Sequence, residues 1–166
     1  PFVKDIKEKT YGQKIYLEHS LRESEGDEEK IIEESVLIYA KPYIDKAEFN
    51  IENLDELKPY LDSLFFVDLY AIAYAYRNQL IEIRKTELNE LQVEPSYEQK
   101  LAGVEIFSRY GVMNTVKALA GNDILNYEKV LLMEYNTVFI HLLMRKSESI
   151  FQENYSKVLE QKRKRQ

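Results

Sequence analysis

The sequence contains no cysteine and no tryptophan. The missing cysteine excludes a disulfide scaffold, a thiolate zinc site and a cysteine nucleophile, and it is compatible with a cytoplasmic protein. The five glycines are scattered, and no Walker loop, G-x-G-x-x-G fingerprint or G-x-S-x-G elbow occurs. The motifs of the common nucleotide-binding and hydrolytic enzymes are therefore missing.

Histidine and long apolar runs are also scarce. His19 and His141 are the only histidines, and neither belongs to an H-E-x-x-H or E-x-x-H pattern, so the sequence predicts no metal and no cofactor. We expect His141 to pack or to form a hydrogen bond on the last helix. The longest apolar run, at 64–76, is shorter than the roughly 20 residues that cross a bilayer, and the charged N-terminus does not resemble a secretory signal. We therefore expect no membrane association.

What the sequence does contain is typical of a globular domain, with 166 residues, 45% of them hydrophobic and 31% charged. Acidic residues dominate as far as Glu94, which disfavours nucleic acid as a partner except at the basic run that ends the sequence. Thirteen tyrosines are present. Tyrosine is favoured at protein interfaces, although a tyrosine-rich core explains the count equally well.

The run LFFVDLYAIAYAY at 64–76 is interrupted by one charge, Asp68. A segment that is apolar on nearly every face belongs in a core, so we place it at the centre of the fold. Apolar spacing of three and four residues extends this segment into a helix over 59–92. Because its second half is amphipathic, we expect the first half to be enclosed and the second half to project along a surface or a partner.

The remaining patterns predict shorter helices. The alternation at 13–19 indicates a short strand or an extended arm. Asp27 is a candidate N-cap for a helix over 28–43, although the β-branched residues near Ile38 are also compatible with a strand. Ser96 and Gln99 form a capping box that opens a helix over 96–110. Further helices are predicted at 112–120, at 125–133 and from 136 to 159.

The predicted fold is mainly α, an irregular bundle of five to six helices around a long central helix, with a possible short N-terminal strand or arm. Residues 1–26 form the arm and 27–160 a single helical domain. Residues 161–166 form a basic tail that is expected to fray in solvent.

Two patterns suggest chemistry. Asp68 within an apolar run is either a general acid or base, acting with nearby tyrosines and Arg77, or a solvated or hydrogen-bonded carboxylate. The structural interpretation is favoured because no second catalytic group stands at a fixed offset. Residues 115–134 resemble a helix-turn-helix, but the second helix carries one lysine against two glutamates, which does not suit base or phosphate contacts.

Residues 111–152 carry a resemblance to a known group of proteins. The segment contains Gly121-Asn122-Asp123 after a short helix, then Val130 and Met133, and then a set of packing residues on the following helix, namely Asn136, Val138, Phe139 and Leu142. This arrangement resembles the C-terminal helical part of small tailed-phage proteins of tail or baseplate assembly. The resemblance implies a chaperone or structural subunit, and a location in the virion, without assigning site residues.

Taken together, these observations favour a non-catalytic protein-interaction or assembly component whose partners are other proteins or copies of itself. The alternatives are an enzyme with a site around Asp68 and a nucleic-acid-associated protein that uses its C-terminal tail. The predicted interaction residues are Tyr70, Tyr74, Arg77, Lys162, Arg163, Lys164 and Arg165.

Overall fold

The computed structural model describes residues 5–23 and 65–164, with isolated positions 27, 30–32 and 35 between them. The predicted mainly α fold is confirmed. The helices are α1 (Tyr11–Glu23), α2 (Phe66–Leu91), α3 (Tyr97–Leu101), α4 (Val112–Leu119), α5 (Tyr127–Leu132) and α6 (Tyr135–Lys164), with short 3-10 helices at Ile6–Glu8, Val104–Tyr110 and Ile124–Asn126. Within these ranges, strand-like pairing is confined to one isolated bridge, between Thr10 and Glu134.

The N-terminal region differs from its prediction, because the segment expected to form a strand or an extended arm is helix α1. Thr10 and Gln13 explain the difference. The Thr10 backbone N–H donates to Gln13 Oε1 at 3.0 Å, and the Gln13 N–H donates to Thr10 Oγ1 at 3.2 Å. These reciprocal bonds form a T-x-x-Q capping box, which starts the helix.

Helices α1 and α6 begin side by side. The Tyr11 N–H donates to the Met133 carbonyl at 2.7 Å, and the Tyr135 N–H donates to the Lys9 carbonyl at 2.8 Å. Both bonds satisfy backbone N–H groups that a helix start leaves without an intrahelical partner. This pair of bonds therefore fixes the N-terminal segment against the C-terminal half of the chain.

The core lies between α1, α2 and the helices that follow α3. Helix α2 contributes one narrow face at helical spacing, made of Ala73, Tyr76, Leu80 and Ile83. The other members of the core cluster are Ile6, Tyr11, Leu17, Val116, Ala120, Val130, Tyr135 and Val138.

The expectation that the first half of the central helix is enclosed is wrong for its start. Phe65 is 81% exposed, and Phe66 and Val67 are also largely exposed. A helix can direct only one face into a core of this size, and here that face begins at Leu69 and Ile72, which are partly buried. The predicted end of the helix near Gln92 is confirmed, whereas its predicted beginning at 59–64 lies outside the described residues.

The predicted capping box is confirmed, because Ser96 and Gln99 bond reciprocally at the start of α3. The helix expected over 96–110 is nevertheless interrupted. Gly103 adopts a left-handed conformation with φ of 78°, which terminates α3. The predicted stop after α4 is confirmed, with Gly121 at φ 68° and Asn122 at φ 66°.

Asp27 caps a helical turn as predicted, since its Oδ1 accepts a hydrogen bond from the Lys30 N–H at 3.0 Å. The described positions 30–32 and 35 are helical. The rest of the helix predicted over 28–43 lies outside the described residues.

Helix α6 is longer than predicted. Residues 161–164, expected to fray, continue the helix to Lys164, and Arg165 lies outside the described residues. Near its middle, the Lys146 ammonium donates to the Glu90 carbonyl at 2.7 Å and to the Gln92 carbonyl at 3.3 Å. A cation at these carbonyls suits the negative end of α2, so Lys146 holds the end of α2 against α6.

Candidate functional site

A cluster of charged and hydroxyl side chains lies inside the bundle, between α1, α2 and α6. The buried Lys14 ammonium donates to both oxygens of Glu87 at 2.9 Å and lies 3.0 Å from Glu18. It also lies 5.6 Å from the centre of the Tyr135 ring, within the range of a cation–π contact. The two carboxylates and the ring stabilise a charge that would otherwise be costly to bury.

Two buried tyrosines border this cluster. Burial, and then the nearby carboxylates of Glu87 and Glu18, raise the pKa of Tyr11 above its usual value, while a hydrogen bond with Thr115 opposes the shift. Burial also raises the pKa of Tyr135, helped by the Glu87 carboxylate to which its hydroxyl is hydrogen-bonded. Both phenols are therefore neutral at physiological pH and can act as hydrogen-bond donors.

We call this cluster of Lys14, Glu18, Glu87, Tyr11 and Tyr135 the clamp. Each charged group has an opposite charge or a hydroxyl as its partner, and Lys14 and Tyr135 are almost completely buried. Three helices contribute to the cluster, so it fixes their relative positions. No group of three or more metal-ligating side chains occurs in the described part of the chain.

A cleft of about 370 Å³ opens beside this clamp. It lies between the Ile6–Glu8 turn, α2 and α6, and its polar wall includes Asp5, Gln79 and Glu82. Gln79 already accepts a hydrogen bond from the Ile6 N–H at 2.8 Å. Asp68 does not line the cleft, so the cleft offers no support for an enzyme built around that carboxylate.

Asp68 itself lies half-buried in the first turn of α2. A carboxylate at this position is stabilised by the positive end of the helix dipole.

Of the two histidines, His19 lies 3.7 Å from Glu23 on the exposed side of α1. His141 is exposed, so the expectation that it packs into the fold is wrong.

The predicted interaction residues of α2 lie together on one side of the helix. Tyr70 and Tyr74 are about half exposed, and their rings stack with centroids 6.3 Å apart. Together with Arg77 they line a small cavity of about 60 Å³ whose other wall includes Ile31 and Ile32. Residues 31 and 32 of the same chain therefore lie across this cavity from Tyr70, Tyr74 and Arg77.

Helix α6 carries two apolar faces. Tyr135, Val138 and Leu142 pack into or against the core. Ile140, Met144, Phe151, Tyr155 and Val158 form a second face, which we call the outer stripe. At 3.6 residues per turn, the outer stripe lies on the side of α6 roughly opposite to the core-facing residues.

The outer stripe is open to solvent. Met144 is 54% exposed and Phe151 is 62% exposed, and every residue over 147–164 is exposed. This segment of 18 residues extends past the Lys146 contact for about 27 Å, at 1.5 Å per residue. An amphipathic helix whose apolar side faces solvent is a common feature of an interaction element.

Of the four predicted basic residues, Lys162, Arg163 and Lys164 lie on the last turn of this free segment. Successive positions point in different directions around a helix, so the three cations surround its end. Lys162 lies on the outer-stripe side, Arg163 lies about a quarter turn away from it, and Lys164 lies on the opposite side.

The sequence alone did not reveal the charged cluster around Lys14 or the outer stripe of α6. The T-x-x-Q pattern at Thr10 and Gln13 was the available signal for α1, which carries Lys14 into the core. For the outer stripe, the signal was the separation of the apolar residues of α6 into two groups about half a turn apart.

Comparisons with protein-family models, with curated proteins and with solved structures find no match to this chain. None of the helices in the described ranges combines the length and the apolar character needed to cross a bilayer.

Proposed function

We propose that this chain is a non-catalytic protein-interaction or assembly component, and that residues 147–164 of α6 are its docking element. The observation that supports the proposal is the outer stripe. Its apolar side chains are directed away from the core of their own domain, and they continue along a helix that extends past the last contact with α2.

A partner would stabilise this helix. Most helical stability in proteins comes from burial of an apolar face, and the outer stripe is exposed. Covering one phenylalanine or valine side chain contributes roughly 1.5–3 kcal/mol. A partner that covers Phe151 and Val158 therefore stabilises both the helix and the complex.

The setting we propose is the assembly of a phage tail or baseplate, with the chain acting as a chaperone or structural subunit. The support for this setting is the resemblance of residues 111–152, which includes the root of the free helix. The interaction proposal does not depend on that resemblance.

The experiment is co-purification of the chain with the products of its neighbouring genes, followed by mass measurement by light scattering. Phe151→Glu places a charge in the outer stripe, whereas the matched control Ser149→Glu places the same charge on the opposite, polar side. We expect the wild type and the control to form a complex that Phe151→Glu does not form. A wild type that stays monomeric and binds none of these products would contradict the proposal, as would equal binding by both variants.

A further inference from the structure

The charges of the free helix are distributed unevenly along its length. Residues 147–155 contain the acids Glu148 and Glu153 and no basic residue. Residues 156–164 contain four basic residues and one acid, Glu160. The segment is therefore negative at its root and positive at its tip, with the outer stripe running through both halves.

We propose that the part of the outer stripe within residues 147–164 is covered by the same segment of a second copy of the chain, with the two α6 helices antiparallel. This inference rests on the proposed function and names its partner. Antiparallel pairing brings the negative root of each helix beside the positive tip of the other. Parallel pairing would instead place the basic tips at 162–164 side by side, which is unfavourable.

The positions of the stripe residues fit a twofold axis at Tyr155. Phe151 and Leu159, an exposed leucine at the edge of the outer stripe, are each four residues from Tyr155, so each phenylalanine faces the leucine of the other copy. Glu148 and Lys162 are each seven residues from Tyr155, so they form two symmetry-related ion pairs. An interface of this kind is isologous, because the same surface serves both copies.

The polar side of the helix does not compete for these contacts. Lys157 forms an ion pair with Glu153 of its own helix. Both residues lie away from the outer stripe, as i and i+4 neighbours on the opposite side. Glu148 and Lys162 remain available on the stripe side.

The size of the interface determines the affinity that we expect for the dimer. A helix of about 27 Å presents less area than the roughly 800 Å² per partner of a standard stable interface. The pairing is therefore expected to be reversible and to increase with protein concentration in sedimentation or light-scattering measurements.

Charge reversal tests the orientation. Glu148→Lys and Lys162→Glu should each raise the dimer dissociation constant about tenfold, because each variant turns both ion pairs into like-charge pairs. The double variant restores both pairs and should dimerise like the wild type. In a parallel dimer, where each residue faces its own copy, the single variants would not weaken association, and that outcome would overturn the proposal.

Cross-linking gives a second readout, since the chain has no cysteine of its own. A mixture of Glu148→Cys and Lys162→Cys chains should form disulfide-linked dimers, because a disulfide needs Cα atoms within about 7 Å. Glu148→Cys alone should form none. Efficient cross-linking of that variant with itself would overturn the antiparallel arrangement. The substituted positions, 148 and 162, are both exposed, so the circular dichroism spectra of the variants should match that of the wild type.

The association measurements also distinguish a failure of the proposed self-pairing from a failure of the proposed function. A chain that is monomeric at all concentrations, yet binds a neighbouring gene product through Phe151, overturns the self-pairing and leaves the interaction role supported. A chain that does neither overturns both.

Discussion

At the scale of single residues, Lys14 is the side chain on which the packing of α1 against α2 most depends. Its ammonium lies between Glu18 and Glu87, and its side chain is 4% exposed. The two carboxylates are about one-fifth exposed, so water screens them in part. Loss of the cation would leave both acids close together without a counter-charge.

Lys14→Met keeps the length of the side chain and removes its charge. We expect the free energy of unfolding to fall by about 2–3 kcal/mol, somewhat less than for a completely buried pair. Urea denaturation measures this change. Lys157→Met, which breaks the exposed pair with Glu153, is the control. It should lower the free energy of unfolding by less than about 1 kcal/mol. Equal effects of the two substitutions would contradict the role assigned to Lys14.

The buried tyrosines predict how stability depends on pH. Burial raises the pKa of Tyr76 to about 12, and it raises the pKa of Tyr11 and Tyr135 as well. A tyrosine in the unfolded chain loses its proton near pH 10. The stability that these buried phenols contribute is therefore fully present below about pH 10. It is lost as the pH rises towards 12, because the unfolded chain releases protons that the folded protein retains.

The measurement is the urea midpoint at several pH values between 8 and 12. Tyr76→Phe should make the decline at high pH less steep, because one of the retained protons is removed. Tyr97→Phe, at an exposed position, should leave the slope unchanged. A midpoint that stays constant up to pH 12 would show that these phenols are not buried.

At the scale of helices, α1 and α5 approach each other closely at Gly12. A Cβ atom added at Gly12 would lie 3.1 Å from the Leu131 carbonyl oxygen and 3.4 Å from Leu131 Cβ. Gly12 is therefore required by packing, and the backbone of α5 limits how far the contact can relax.

Gly12→Val should lower the free energy of unfolding by about 2–3 kcal/mol, through overpacking against α5. His19→Val introduces the same side chain on the exposed side of α1 and should lower the free energy of unfolding by only a few tenths of a kcal/mol, because histidine and valine have similar helix propensities. Thermal unfolding followed by circular dichroism compares the two variants. If Gly12→Val were as stable as the control, α1 and α5 would be farther apart than described here.

The helices also show what sequence reasoning can and cannot supply. The capping box at Ser96, the cap at Asp27 and the stop at Gly121 were predicted because each depends on residues close together in sequence. The burial of Lys14 was not predicted, because its partner Glu87 is 73 residues away. The exposure of Phe65 and Phe66 was also missed. A run that is apolar on all sides does not reveal which face a core of limited size will use.

At the scale of the whole molecule, the described residues form a packed body and a helix that extends from it. The body is held by the clamp around Lys14 and by the backbone bonds that join the starts of α1 and α6. The predicted interaction residues divide between the two parts, with Tyr70, Tyr74 and Arg77 on the body and the basic residues at the end of the helix. The position of the outer stripe required coordinates, because only they show which side of α6 the core occupies.

The most direct test of this account is truncation of the chain after Ser147, followed by measurement of both stability and association. Residues 148–164 are exposed along their whole length, so their removal should change the free energy of unfolding by less than about 0.5 kcal/mol. Association with a second copy or another partner should be lost. A large drop in stability, or association that persists in the truncated chain, would contradict the claim that the body is self-sufficient and the free helix is its docking element.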